Sequence, residues 1–214
     1  MKTTKSEVKQ LLLERRFDAL CSLETERGGV FRWLRSLACD REELVFWRAV
    51  EAMGPFSRFV AERQGVDVMR GMVRRLNWAL SDESGDMAWA APEMLSEIFM
   101  ANPQTCRDVA FIVIHLDELI FRRNAVWAAG RIATEHPDIA REVADELLAE
   151  LDNADPEIRA YAAWALGGVG DERATAKLKE LAVDTSGPVK FYRNGWLERV
   201  TVGEIAQESL AVTL

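Results

Sequence analysis

Residues Asp152–Asp184 read DNADPEIRAYAAWALGGVGDERATAKLKELAVD. Pro156 suits the first position of a helix, where a missing N–H costs nothing. Ile158, Ala162, Ala165, Leu166 and Val169 then recur at helical spacing and share one face. Gly167, Gly168 and Gly170 stop that helix. Asp171 opens a second one, with Ala174, Leu178, Leu181 and Ala182 as its apolar set. The stretch is therefore one unit of two short amphipathic helices.

The unit before it follows the same plan. Phe121, Ala125, Ala128, Ala129 and Ile132 make a first face, His136-Pro137 breaks it, and Ile139, Val143, Leu147, Leu148 and Leu151 make the second. Further out, Trp47, Trp89, Trp127 and Trp164 recur at intervals of 42, 38 and 37 residues. A column of aspartates, Asp40, Asp82, Asp117, Asp152 and Asp184, marks the expected turn from each unit to the next, where a carboxylate accepts from free helix N–H groups. A period near forty residues built of helix pairs predicts an all-α fold, an α–α superhelix of the HEAT or armadillo-like solenoid kind. The expected organisation is one continuous domain: a helical cap over residues 1–39, then repeats over 40–214.

The C-terminal stretch VKFYRNGWLERV departs from helical spacing. Asn194-Gly195 between alternating apolar arms predicts a β-hairpin with a type I′ turn, inserted at 189–200 in the last repeat. Phe191, Tyr192 or Trp196 should pack it onto the helices, since a lone hairpin is marginal in water. Thr201 to Glu204 has the spacing of a capping box for a final helix.

The run from Asp155 and Pro156 through Ile158-Arg159, the Ala-rich stretch, Leu166-Gly167, Val169-Gly170-Asp171 and on to Asp184 and Val189-Lys190 resembles the short HEAT-like repeat of phycobilisome lyases. The resemblance covers about residues 117–190. The segment Leu76 to Ile98 departs from that pattern and is similar to a segment of HEAT-like proteins of anaerobic, sulfate-reducing-type bacteria, which implies no activity. The family resemblance implies a surface that holds another molecule. Three readings follow: a non-catalytic scaffold or adaptor for proteins, a lyase- or chaperone-like helper for a cofactor- or chromophore-bearing protein, and a HEAT-like DNA glycosylase.

The net charge of −8 opposes the basic stripe that phosphate contacts need, so nucleic acid is not the expected partner. Cys21, Cys39 and Cys106 have no CxxC spacing and read as reduced thiols, consistent with a cytoplasmic location. The only apolar run near the start, Leu11 to Leu13, is too short for a signal peptide or membrane span. Two histidines without an HExxH or paired His-Glu motif give no expected metal site. No phosphate-binding loop or nucleophile motif occurs, so neither a catalytic residue nor a cofactor is expected.

Two features point to a partner surface. At 100° per residue, Trp164, Trp127 and Trp89 share a register and fall on the flank of the apolar face, where they either pack between repeats or line a groove, while Leu44, Val50 and Met53 put Trp47 nearer the core. The segment from Asn77 to Glu97 gathers Trp78, Trp89 and the acids Asp82, Glu83, Asp86, Glu93 and Glu97 where the repeat does not require them. The expected partner-binding residues are Trp78, Glu83, Trp89 and Glu93, extended by His115, Arg122, Arg123 and Trp127. The expected occupant is another protein or peptide; a membrane or small ligand is not expected.

Overall fold

Asp155 caps the helix α11 (Pro156–Val169), its carboxylate accepting from Glu157 N at 2.8 Å. Gly170, in the left-handed region at φ 67°, closes it. Asp171 then accepts from Arg173 N at 3.0 Å and starts the next turn, a 3-10 segment leading into α12 (Thr175–Leu181). The local signals thus work as the sequence suggests, but the caps are Asp155 and Asp171 rather than the aspartate column. Asp40 and Asp184 instead accept from the N–H two residues ahead, of Glu42 and Ser186. Asp184 leads into a strand, not a helix.

The computed structural model describes residues 2–80 and 89–213, apart from the side chains of 26, 27 and 213. The expected Asp82, Glu83 and Asp86 lie outside the described residues. The chain is all-α apart from one two-stranded sheet among the described residues. Its contacts gather into two units, one of residues 1–109 with 194–197, the other of 110–193 with 198–214. The expected cap boundary at 39/40 falls inside the first unit.

The first unit holds α1 (Lys5–Leu13), α2 (Phe17–Arg27), α3 (Val30–Leu37), α4 (Glu43–Gln64), α5 (Val66–Leu80), α6 (Ala91–Ala101) and the start of α7 (Arg107–Ile114). Thr4 and Glu7 form a reciprocal capping box on α1. α4 packs against α1, α3, α5 and α6. Its close approach to α6 depends on Gly54, where an added Cβ would meet the Glu97 carbonyl at 3.2 Å. Arg48 is buried in α4 and donates to the carbonyls of Leu12 and Leu13 at the end of α1, and to Gly195 O at 3.1 Å. It thereby gives a donor to Leu13 O at the helix end and to Gly195 O, while Leu12 O also accepts from Arg15 N at 2.9 Å.

The second unit holds the rest of α7, then α8 (Arg122–Ala133), α9 (Pro137–Ala140), α10 (Ala144–Glu150), α11, α12 and α13 (Val202–Thr213). α8, α11 and α13 pack in succession, while α10 and α12 back them. All five expected face residues of α8, from Phe121 to Ile132, are buried, as are all five of α11. The expected single helix from Ile139 to Leu151 is instead three pieces, α9, a 3-10 turn Arg141–Val143 and α10. Its periodicity still holds: Ile139, Val143, Leu147 and Leu151 are buried.

The hairpin forms as expected, with β1 (Val189–Arg193) and β2 (Trp196–Val200). Asn194 and Gly195 both have positive φ, 53° and 83°, as a type I′ turn requires. Phe191 and Tyr192 are buried, whereas Trp196 is exposed. Phe191 meets Trp164 edge-on at 5.0 Å, and Tyr161 donates its hydroxyl to Lys190 O at 2.7 Å. Thr201 and Glu204 form the expected capping box on α13.

Candidate interaction surface

In the first unit, α5 carries Trp78 near its C-terminal end with 72% of its surface exposed. Trp89 is 53% exposed and stands in the turn ahead of α6, not inside a helix. Pro92 explains this. It occupies the start of α6, where its ring and missing N–H are tolerated, and so sets the helix boundary after Trp89. Trp89 therefore does not share the helical register of Trp127 and Trp164. Glu93 lies in the first turn of α6 and is only 3% exposed, so it is a buried acid rather than part of an open face.

In the second unit, His115 follows α7 and places Nε2 3.9 Å from Glu142 Oε2, both side chains half exposed. Arg122 and Arg123 open α8, and each is held by an acid from a later element. Arg122 Nε donates to Glu150 Oε1 at 2.6 Å, at the end of α10. Arg123 donates to Glu157 Oε2 at 2.7 Å, in the first turn of α11. These arginines stitch neighbouring helices, with Glu157 also favoured by the N-terminal dipole of α11. Arg159 repeats the pattern one unit on, reaching Asp184 Oδ2 at 2.9 Å, both side chains largely covered.

Trp127 is 3% exposed. Its ring stands 6.2 Å from that of Trp164, which in turn meets Phe191. Of the two readings of the flank position, packing between repeats is the one realised in this row. Gly130 makes room for it, since a Cβ there would run into the Trp164 ring. Trp47 is likewise buried, edge-on to Phe46 at 5.0 Å.

Of the expected surface, Trp78 and Trp89 are open in the first unit, and Glu93 is not. In the second unit His115 is open, Arg122 and Arg123 are engaged with acids, and Trp127 is core. The sequence pattern did not single out the exposed apolar pair Leu119 and Ile120, which follow Asp117-Glu118. Among the described residues, no group of three or more His, Cys, Asp or Glu is placed to hold a metal ion. No described helix is long and apolar enough to cross a membrane.

Residues 111–191 match the HEAT repeats family. That segment takes in the end of α7, α8 to α12 and the first half of β1, the stretch with the clearest helix-pair period, and the chain is in this sense HEAT-like. Its fold over nearly the whole length is similar to that of armadillo repeat proteins. A designed armadillo repeat protein in complex with peptide (KR)4 superposes with a TM-score of 0.55 at 20% identity, covering 99% of this chain and 100% of that one. A computationally designed armadillo repeat protein for modular peptide recognition gives 0.52 at 18% identity, covering 97% and 99%. An engineered protein gives 0.57 at 17% identity, covering 98% and 89%. At these identities the likeness is one of fold. No curated protein matches the sequence.

Proposed function

We propose that the chain is a non-catalytic scaffold or adaptor that holds another protein or peptide. HEAT and armadillo repeats are a fold typical of such scaffolds, and two of the similar designed proteins are described as peptide-bound or as built for peptide recognition. The observation that carries the proposal is the exposure of Trp78 and Trp89. Large aromatic side chains left open on a folded surface are the residue type that anchors protein interfaces. They flank, in sequence, the acid-rich stretch 81–88 that includes Glu83. The binding face proposed is therefore that of Trp78 and Trp89 in the first unit, with Glu83 proposed from the sequence between them; in the second unit, His115 is proposed as a separate contact. Arg122 and Arg123, engaged by acids, and the buried Glu93 and Trp127 are not part of that face.

A photo-crosslinking residue placed at 78 or 89 tests this in extract of the native host. Specific adducts from a probe at 78 that fall sharply when Trp89 is replaced by alanine, and from a probe at 89 that fall sharply in Trp78→Ala, are expected. Adducts that form equally well from a probe at an unrelated exposed position, such as Lys179, count against it. The finer resemblance to phycobilisome-lyase repeats would make the captured protein a chromophore- or cofactor-bearing one, and visible absorbance of the adduct tests that further step.

A further inference from the structure

Taking a guanidinium out of water is costly unless an acceptor meets it. Among the described residues, the arginines that are not exposed follow this rule with one exception. Arg48 has its carbonyls, Arg70 has Asp108, Arg122 has Glu150, Arg131 has Glu135, Arg159 has Asp184, and Arg193 has Glu198 and Glu208. Arg35, in the last turn of α3, is half-buried and has neither an acid nor a carbonyl acceptor. Its Nε is enclosed, and its Cζ lies 5.7 Å from the centre of the Phe31 ring. The terminal nitrogens are not enclosed and form the open edge of the group.

A second cation stands near it. Arg75 of α5 is exposed, has no acid partner among the described residues, and acts on Arg35 as a like charge. Burial first, and then Arg75, push the Arg35 pKa below the ordinary arginine value, against a smaller opposing effect of Cys39. Two guanidinium groups without a counter-charge, one of them partly out of water, gain from an oxyanion placed between them. The wider charge does not oppose this. Basic and acidic residues are nearly equal in number in the first unit, so the net charge of −8 belongs almost wholly to the second. Arg75 also precedes Trp78 by three residues on α5, so the two exposed side chains share a helix face. The pair of arginines thus borders the aromatic anchor proposed above.

We propose that Arg35 and Arg75 together bind an acidic side chain, a carboxylate or phosphoryl group, of the partner peptide whose apolar residue rests on Trp78. This rests on the scaffold reading and names the chemistry of its partner: an apolar residue with an acid close beside it. Arg35 meets the oxyanion with its open edge, held in place by its enclosed stem, and Arg75 closes on it from α5.

The experiment is a titration of the full chain, followed by two-dimensional ¹H–¹⁵N NMR. The probes are acetyl-Phe-Ala-Glu amide, its Gln and Lys counterparts, and acetyl-Phe-Ala-phosphoserine amide. Arg35→Lys assigns the Arg35 Nε–H resonance, and Trp78→Phe assigns the Trp78 indole. The glutamate peptide should shift both signals and bind about tenfold more tightly than the glutamine peptide, with the lysine peptide weakest. Tighter binding of the phosphoserine peptide assigns the site to a phosphoryl group, and equal or weaker binding assigns it to a carboxylate. Arg75→Gln, a change at an exposed position, should bring the glutamate and glutamine peptides to near equality. Glutamine or lysine peptide bound as tightly as glutamate overturns the proposal, as does an Arg35 signal that no peptide moves. The competing occupant is the chain's own acid-rich stretch, tested by Asp82→Asn/Glu83→Gln/Asp86→Asn. That variant should leave the free Arg35 signal in place and bind the glutamate peptide at least as tightly. A free Arg35 signal displaced as far as the peptide displaces it in the parent shows the site already filled, and the proposal falls. Adducts at 78 or 89 with no preference for acidic peptides leave the scaffold reading standing without this one. Acidic peptides selected at Arg35 with no adducts from 78 or 89 separate the two in the other sense.

Discussion

Gly130 and Trp164 occupy complementary space: a Cβ on Gly130 would stand 2.9 Å from Trp164 Cδ2 and 2.7 Å from Cζ3. The indole lies where residue 130 has no side chain, and this contact joins α8 to α11. Gly130→Ala sets two effects against each other. Alanine favours the helix by about 1 kcal/mol over glycine. The overpacked ring costs about 1–3 kcal/mol, because the indole is also held by Trp127 and Phe191. A net loss of stability is expected in urea denaturation. A variant as stable as the parent, or more so, would show that the indole moves freely.

Arg48 is expected to be the most costly charged residue to remove. Its side chain is buried and donates to the carbonyls of Leu12, Leu13 and Gly195, with the Trp196 ring 6.0 Å from Cζ. Arg48→Met keeps the stem and strands Leu13 O and Gly195 O without that donor, while Leu12 O keeps the N–H of Arg15. A loss of about 2–4 kcal/mol follows from buried acceptors left unpaired. Thermal unfolding followed by circular dichroism measures it, with the exposed Lys179→Met as the control that should change little.

Stability should fall on acidification, with a calculable sign. Asp108 is held below the ordinary 3.8 by its hydrogen bond from Arg70, and Asp171 by that from Arg173. For Asp184, burial pulls the value up, but hydrogen bonds from Ser186 and then Arg159 outweigh it and leave it lowered. Each folded-state value lies under the unfolded one. The stabilisation is therefore complete above pH 3.8 and lost as pH falls through the lowered values. Denaturant midpoints from pH 7 downward should hold level and then drop. In Asp184→Asn the drop should be shallower, from a lower starting stability. A parent midpoint that rises on acidification would contradict the sign.

The tryptophans should divide by burial. Trp127→Ala empties a core position and should cost about 3–5 kcal/mol. Trp78→Ala should stay within about 0.5 kcal/mol of the parent, because its side chain is largely in solvent. Differential scanning fluorimetry on both variants suffices. A Trp78→Ala protein that melts as early as Trp127→Ala would make Trp78 structural and remove it from the proposed binding face.

The helix-pair plan was legible because its signals are local. Pro156, Gly170, the faces of α8 and α11, the Thr201–Glu204 box and the Asn194-Gly195 turn all act within a few residues of themselves. Where a local signal competed with the repeat pattern, the local one prevailed. Pro92 places the start of α6 after Trp89, although the forty-residue spacing suggested a helical position. Asp155 sits beside Pro156 and caps α11, although the column favoured Asp152.

The candidate surface was less legible, because exposure depends on what other elements cover. Arg122 and Arg123 look free in sequence; Glu150 and Glu157, remote along the chain, occupy them. Trp127 and Trp164 share a register, yet one is buried and the other borders a cavity, since Phe191 arrives from the hairpin and α13 from the C-terminus. By itself the sequence determined the period, the element types and the hairpin turn, all set by backbone preference and spacing along a few turns. Only the tertiary structure decided which aromatic and charged groups remain open, because burial and ion pairing are properties of contacts between segments that the order of residues does not bring together.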